Sequence, residues 1–319
     1  MHEDNIIMNL DSNQLSVGFG CAPMLGRIGH SQSLTALSKA YELGIRHFDI
    51  ARSYGWGEAE ELLGEFLVRY PREEYKLVSK CGILPTPRST VKTSIKKIGR
   101  QVYNHVPFSQ RLVKNIASKS FQPKKTYDIS VLNSSLEKSL KKLRTDYLDV
   151  LLLHNYNPNA PGLEEVISWF DKVKKDGKVK NYGLCIGSQF KETLEQLDPA
   201  LFNNGLVIQT PVSDDIWSLP SKYKNVPVIV HSPFRYLTTK TFSNLLYSSV
   251  PNSDKDKENL FSEFSFLIAA LHEKLNCQSL ICSMFNTPHI EANCRAASQA
   301  IKFNSQEIDA FLKAIHNHQ

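Results

Sequence analysis

The feature that most constrains this chain is an alternation. Short apolar runs bounded by Gly, Pro or polar residues follow one another, from LSVGFGCA at 15–22 to QSLICS at 278–283, and amphipathic helical patterns fill the intervals. Eight runs can be read: LSVGFGCA, HFDIA, YKLVSK, LDVLLLH, YGLCIG, LVIQT, VPVIVH and QSLICS. LDVLLLH is apolar almost throughout rather than alternating, which marks a strand buried on both faces, as parallel strands covered by helices are. Between the runs, positions such as Ile129, Leu132, Leu136, Leu140 and Leu143 recur at intervals of three and four, the spacing of one helix face. Further helices are expected from about Ser33 to Gly44, across Ala59–Leu67, through LEEVISWFDKVKKDG, and at 260–274, 288–300 and about 306–314. Strand then helix, eight times, with no linker and no break in composition, predicts an α/β fold: a single (β/α)8 TIM barrel domain over residues 1–319. A doubly wound sheet would carry GxGxxG after its first strand, and here GFGCAP sets Pro23 where the third glycine belongs.

Composition narrows the setting. No apolar run approaches the ~20 residues that a spanning helix needs, and the start, MHEDNIIMNLDSNQ, is acidic and polar, unlike a secretory leader. Six cysteines stand without a CxxC pair, which argues against a zinc ribbon or a disulfide framework and for a reducing cytoplasm. No His, Cys or carboxylate spacing suggests a metal. The net charge of +6 is concentrated: residues 81–127 hold ten Lys or Arg and no acid, leaving 28 basic against 32 acidic residues elsewhere. Within that segment Val91, Ile95, Ile98, Val102 and Val106 fall at helical spacing, with Lys92, Lys96, Lys97 and Arg100 between them. It reads as a basic helical insertion after strand three, on the catalytic face. It is either a solvated face or a docking surface, over residues 88–125, for an anionic substrate, an acidic carrier protein or a membrane surface. No aromatic interleaving accompanies the charges, so nucleic acid is not expected as a partner.

In a parallel barrel, chemistry gathers at the carboxyl ends of the strands. Those ends carry Asp49 and Tyr54 after the second strand, Lys80 at the third and His154 at the fourth. One such residue is unremarkable; four proton-handling groups at consecutive strand ends form a pattern. It suits carbonyl reduction, where hydride arriving at carbon leaves charge on oxygen and a proton donor must stand by. A phenol titrates near 10 when unperturbed, and a neighbouring ammonium favours its ionised form. The assignment is Tyr54 as acid, Lys80 as its tuner, Asp49 as the partner that keeps Lys80 charged, and His154 as the group that orients the carbonyl.

With these residues placed, the chain resembles the aldo-keto reductases. FDIARSYGWGEAEELLGEFL resembles their Asp-and-Tyr signature, KLVSKCG their lysine strand, and SLEKSLKKLRTDYLDVLLLH their most characteristic segment, which ends in histidine. GKVKNYGLCIG, VPVIVHSPF and the Asn293 region extend the likeness over nearly the whole chain. The resemblance implies a nicotinamide dinucleotide, NADPH or alternatively NADH, bound without a Rossmann fold. It places Gln209, His231, Ser232, Ser283 and Asn293 at cofactor-binding positions, with His231 standing where a stacking Tyr is common. After the eighth strand SMFNTPHIEAN offers no cation for an adenosine 2′-phosphate, which weakens the preference for NADPH. The implied activity is an oxidoreductase interconverting a carbonyl (aldehyde, ketone or aldose) and an alcohol. The implied alternative on the same fold is a cofactor-binding regulatory or scaffolding protein, as in potassium-channel β subunits.

Overall fold

The computed structural model describes residues 16–86, 126–158, 162–187, 190–203, 205–239, 254–275 and 277–316. The basic stretch with Lys92, Lys96, Lys97 and Arg100, and the whole docking surface assigned to 88–125, lies outside the described residues. Eight strands close into an all-parallel barrel in sequence order: β1 (Ser16–Gly20), β2 (His47–Asp49), β3 (Lys76–Cys81), β4 (Leu148–His154), β5 (Val179–Cys185), β6 (Leu206–Pro211), β7 (Val228–His231) and β8 (Cys277–Cys282). The ring is sealed by β8 on β1, from Ser16 opposite Ser279 to Phe19 opposite Cys282.

The covering helices are α1 (His30–Glu42), α2 (Ala59–Leu67), α3 (Ile129–Leu143), α4 (Leu163–Lys175), α5 (Phe190–Gln196), α6 (Pro233–Thr239), α7 (Asp254–Leu275), α8 (Thr287–Ala300) and α9 (Ser305–His316). Helix α3 shows how the sequence sets their limits. Asp128 caps its start by accepting from the Val131 amide at 3.0 Å, and Arg144 ends it in the left-handed region at φ 55°. Its leucines 132, 136, 140 and 143 are all buried against the barrel, as their spacing predicts. Two boundaries shift from expectation. Helix α7 begins at Asp254 rather than near 260. Strand β5 begins at Val179 rather than Tyr182, because Val179 and Asn181 pair with Leu148 and Val150.

Alternate strand residues sort into two cores. Outward-facing side chains such as Phe48, Leu77, Leu151 and Leu184 merge with the helices in one large apolar cluster. A smaller cluster of Val78, Val150, Leu152, Cys185, Val207, Ile229 and Ile281 fills the middle of the barrel bore. Polar residues occupy the bore on either side of this plug. On β3 the pattern is Lys76, Val78, Lys80, and on β2 it is His47 followed by Asp49, each two residues apart and so on one strand face. The fold therefore has an apolar waist with polar chambers at both ends.

Leu152, fully buried in that waist, is the residue to remove. Leu152→Ala is expected to lower unfolding free energy by about 2–5 kcal/mol through lost burial and a cavity. Urea unfolding should register this as a lower midpoint with an unchanged slope.

Candidate active site

The ion pair at the centre of the upper chamber follows from strand register. Asp49 ends β2 and Lys80 lies next to the end of β3, and the bore brings them together: Lys80 Nζ donates to Asp49 Oδ1 at 2.6 Å and to the Ile50 carbonyl at 3.0 Å. The two residues are 2% and 5% exposed. Across the barrel, Gln209 of β6 donates from Nε2 to Asp49 Oδ2 at 2.5 Å, so both carboxylate oxygens are engaged. Burial works against the charge on Lys80, but the Asp49 carboxylate, followed by Tyr54, more than compensates and holds its pKa above the ordinary lysine value.

Tyr54 opens a turn, Tyr54–Gly57, whose backbone explains the sequence YGWG. Gly55, Trp56 and Gly57 all take positive φ, at 55°, 65° and 86°. A Cβ on Gly55 would sit 2.8 Å from the Met24 carbonyl oxygen, and one on Gly57 2.8 Å from Pro85. The turn is anchored from below. Arg52 donates to the Gly57 carbonyl at 3.2 Å and lies 3.6 Å from the buried carboxylate of Glu60, which accepts from Ser79 Oγ at 2.9 Å. That framework sets the Tyr54 ring edge-on to the His154 imidazole, centroids 6.1 Å apart, with Lys80 Nζ 5.3 Å from the phenol centroid. Burial pushes the Tyr54 phenol up to about 12. The Lys80 ammonium pulls it down, in the direction expected from the sequence, but does not outweigh burial.

A cavity of about 930 Å³ opens over these groups at the carboxyl ends of the strands. Asp49, Tyr54, Lys80 and His154 all line it, and the dimensions fall in the range of cofactor and substrate sites.

The barrel topology and this cavity agree with the comparisons. The model of the aldo/keto reductase family matches residues 16–276. The chain belongs to that family. D-threo-aldose 1-dehydrogenase of a Pseudomonas species is 28% identical over 188 residues, covering 56% of this chain and 51% of that protein. NADH-specific methylglyoxal reductase of Escherichia coli is 24% identical over 161 residues, covering 50% and 42%. The chain spans about half the length, or less, of the curated relatives it matches. Among solved structures, a holo-form aldo-keto reductase of Bacillus halodurans superposes with a TM-score of 0.63 at 18% identity, over 94% of this chain and 91% of that one. One from Klebsiella pneumoniae, solved in complex with NADPH, gives 0.61 at 17% identity, over 94% and 90%. At these identities the structural likeness speaks to the fold alone.

Of the positions assigned to cofactor, this aldo/keto reductase brings Gln209, His231, Ser232 and Ser283 onto the same cavity as the tetrad. His231 Nδ1 lies 2.9 Å from Ser232 Oγ, and burial lowers the imidazole to about 4, leaving it neutral at pH 7. Asn293 is placed elsewhere: buried on α8, it donates to Met284 Sδ at 3.4 Å and does not line the cavity. Sequence reasoning missed Arg27, Asn155, Asp214 and Arg235, which do line it. All four lie in loops or at a helix start, where no periodicity signals which way a side chain turns. The six cysteines are all unpaired, and Cys185 reaches the cavity wall. Among the described residues, no group of three or more potential metal ligands gathers, and no helix is long and apolar enough to cross a membrane.

Two buried imidazoles give a pH signature. His47 and His231 are each lowered from 6.5 to about 4, chiefly by burial. Between those values the unfolded chain binds protons that the folded chain refuses, so stability is full above about pH 6.5 and falls as pH drops toward about 4. Unfolding free energies measured across that window should decline with acid, and His47→Gln and His231→Gln should each flatten the slope. Equal slopes in wild type and both variants would contradict the assignment.

Proposed function

We propose that this chain is an NAD(P)(H)-dependent oxidoreductase that interconverts a carbonyl and an alcohol, with Tyr54 as general acid and base. The observation that carries the reading is the convergence of Asp49, Lys80, Tyr54 and His154 on one cavity at the catalytic end of the barrel. A reduced nicotinamide dinucleotide supplies the hydride when bound. The chain's own residues manage the charge that appears on oxygen. Tyr54 and His154 face each other edge to face, so a carbonyl oxygen held between them can accept from both. Tyr54 gives its proton to the nascent alkoxide, and Lys80 stabilises the phenolate left behind. Asp49, locked by Gln209, keeps Lys80 charged and in place.

The height of the Tyr54 pKa bears on direction. A phenol near 12 is fully protonated at neutral pH and ready to donate to an alkoxide, which is the stronger base. The reverse reaction needs the phenolate, which is scarce until alkaline pH. Reduction should therefore be nearly flat through neutrality, whereas alcohol oxidation should climb with pH.

For the cofactor we favour NADPH over NADH. His231 offers a flat neutral ring, and Gln209, Ser232 and Ser283 offer amide and hydroxyl groups, a set suited to a nicotinamide and its ribose. Arg27 and Arg235 supply two guanidinium groups at the cavity for phosphate, supplying charge that the segment after β8 lacks. The relatives point both ways: one solved relative was obtained with NADPH, and one curated relative is named NADH-specific. The substrate we propose is an aldose or a small polar aldehyde, consistent with Asn155, Ser213 and Asp214 on the cavity wall and with the aldose dehydrogenase among the relatives.

Tyr54→Phe is expected to lower kcat by about 10²–10⁴-fold, the usual contribution of a positioned proton donor. The dissociation constant for the dinucleotide, followed by fluorescence with NADPH and NADH in parallel, should not move. A variant that keeps its turnover removes Tyr54 from the chemistry, and failure of wild type to bind either dinucleotide overturns the whole reading.

A further inference from the structure

The opposite end of the bore holds a second chamber that the proposed chemistry does not use. It measures about 170 Å³, room for several waters, and lies below the apolar waist. Among the groups that line it are His47 from β2 and Lys76 from β3, directly opposite each other in strand register, with Lys180, Asp149 and Glu73 also on the wall. His47 is 2% exposed, and neither ring nitrogen has a hydrogen-bond partner among the described residues. Lys76 is half-buried, but its Nζ is shielded from solvent and likewise has no hydrogen-bond partner among the described residues.

The nearby carboxylate does not resolve this. Asp149 spends Oδ2 on Arg72 at 2.6 Å and on the Leu77 amide at 2.9 Å, and Oδ1 on Lys180 at 3.2 Å. It thus answers two other cations and leaves the Lys76 ammonium without a direct counter-charge. A buried charge without a partner is costly, and so is an imidazole with both nitrogens idle. A ligand that accepts from Lys76 and from a His47 N–H would relieve both. Such a ligand must be small and carry negative charge on acceptor atoms.

We propose that this lower chamber is a binding site for a small oxyanion, a carboxylate or a phosphate, held by Lys76 and His47. The protonation behaviour is consistent. Burial brings Lys76 down to about 8, with Asp149 opposing and Lys180 reinforcing the shift. Glu73 and Tyr75 also line the chamber, and His47 is neutral at pH 7. An anion beside the ammonium would raise the Lys76 pKa again, so binding should take up protons near pH 8 and weaken above it.

Calorimetric titration of the full chain with sodium acetate and, separately, sodium phosphate, at pH 7 and constant ionic strength, tests the site. At least one anion should bind, and the arm that saturates distinguishes carboxylate from phosphate. Lys76→Met should weaken that binding about tenfold or more, the loss of one charge-assisted hydrogen bond, while turnover on a neutral aldehyde is unchanged. Tyr54→Phe should leave it intact, which separates this chamber from the catalytic one. Should Lys76→Met not fold, wild type at pH 10 replaces it, because Lys76 is then largely neutral while Lys80 and Tyr54 keep their protons. Binding by neither anion, binding unaffected by Lys76→Met, or equal binding at pH 7 and pH 10 would overturn the proposal.

Discussion

Everything at the catalytic end depends on the ion pair between Lys80 and Asp49. Two charges are taken out of water there, a step that is unfavourable unless geometry and further hydrogen bonds compensate. The barrel supplies both. The pair closes at 2.6 Å, Gln209 takes the second carboxylate oxygen from the far wall, and the Ile50 carbonyl takes a second ammonium proton. Removing either partner of such a pair typically costs about 3–5 kcal/mol because the other charge is stranded. The pair is therefore a structural commitment as well as a chemical one. It ties β2, β3 and β6 together through the bore and fixes an ammonium beside Tyr54.

A second constraint is the backbone of the turn that carries Tyr54. Three consecutive left-handed residues, one of them a tryptophan, are an unusual conformation for an L-residue chain. It persists because its surroundings hold it: Arg52 grips Gly57 and Glu60, and Glu60 is held in turn by Ser79. Burial pushes the Glu60 carboxyl up, with Arg52 and Ser79 among the groups opposing the shift. Tyr54 is thus placed by a strained turn resting on a buried polar framework, rather than by its own strand.

Much of this was legible in the sequence, and the reasons differ by element. Fully buried parallel strands announce themselves as apolar runs, and helices such as α3 by leucine spacing, so the barrel could be read directly. That Asp49, Tyr54, Lys80 and His154 meet on one cavity was readable because strand ends converge in this topology whatever the loops do. Strand β5 was read three residues short, because Lys180 interrupts the apolar run on the face that meets solvent at the barrel base. The loop residues Arg27, Asn155, Asp214 and Arg235 were missed for a different reason: nothing local fixes the direction in which a loop side chain points. His47 and Lys76 were also passed over. A polar residue at the start of a strand looks solvated in sequence, and only the closed bore shows a buried imidazole beside a half-buried lysine whose Nζ is shielded.

The apolar waist separates the two chambers in space but not in field. Val78, Val150, Leu152, Val207, Ile229 and Ile281 fill the bore between them with apolar side chains. The two chambers share strands and even share a lysine-bearing face of β3. Asp49 and Lys80 of the upper chamber both act on the His47 imidazole of the lower one, so a change of charge at one end is felt at the other. One barrel in this way houses two polar sites that are apart in space yet coupled through the field of the buried ion pair.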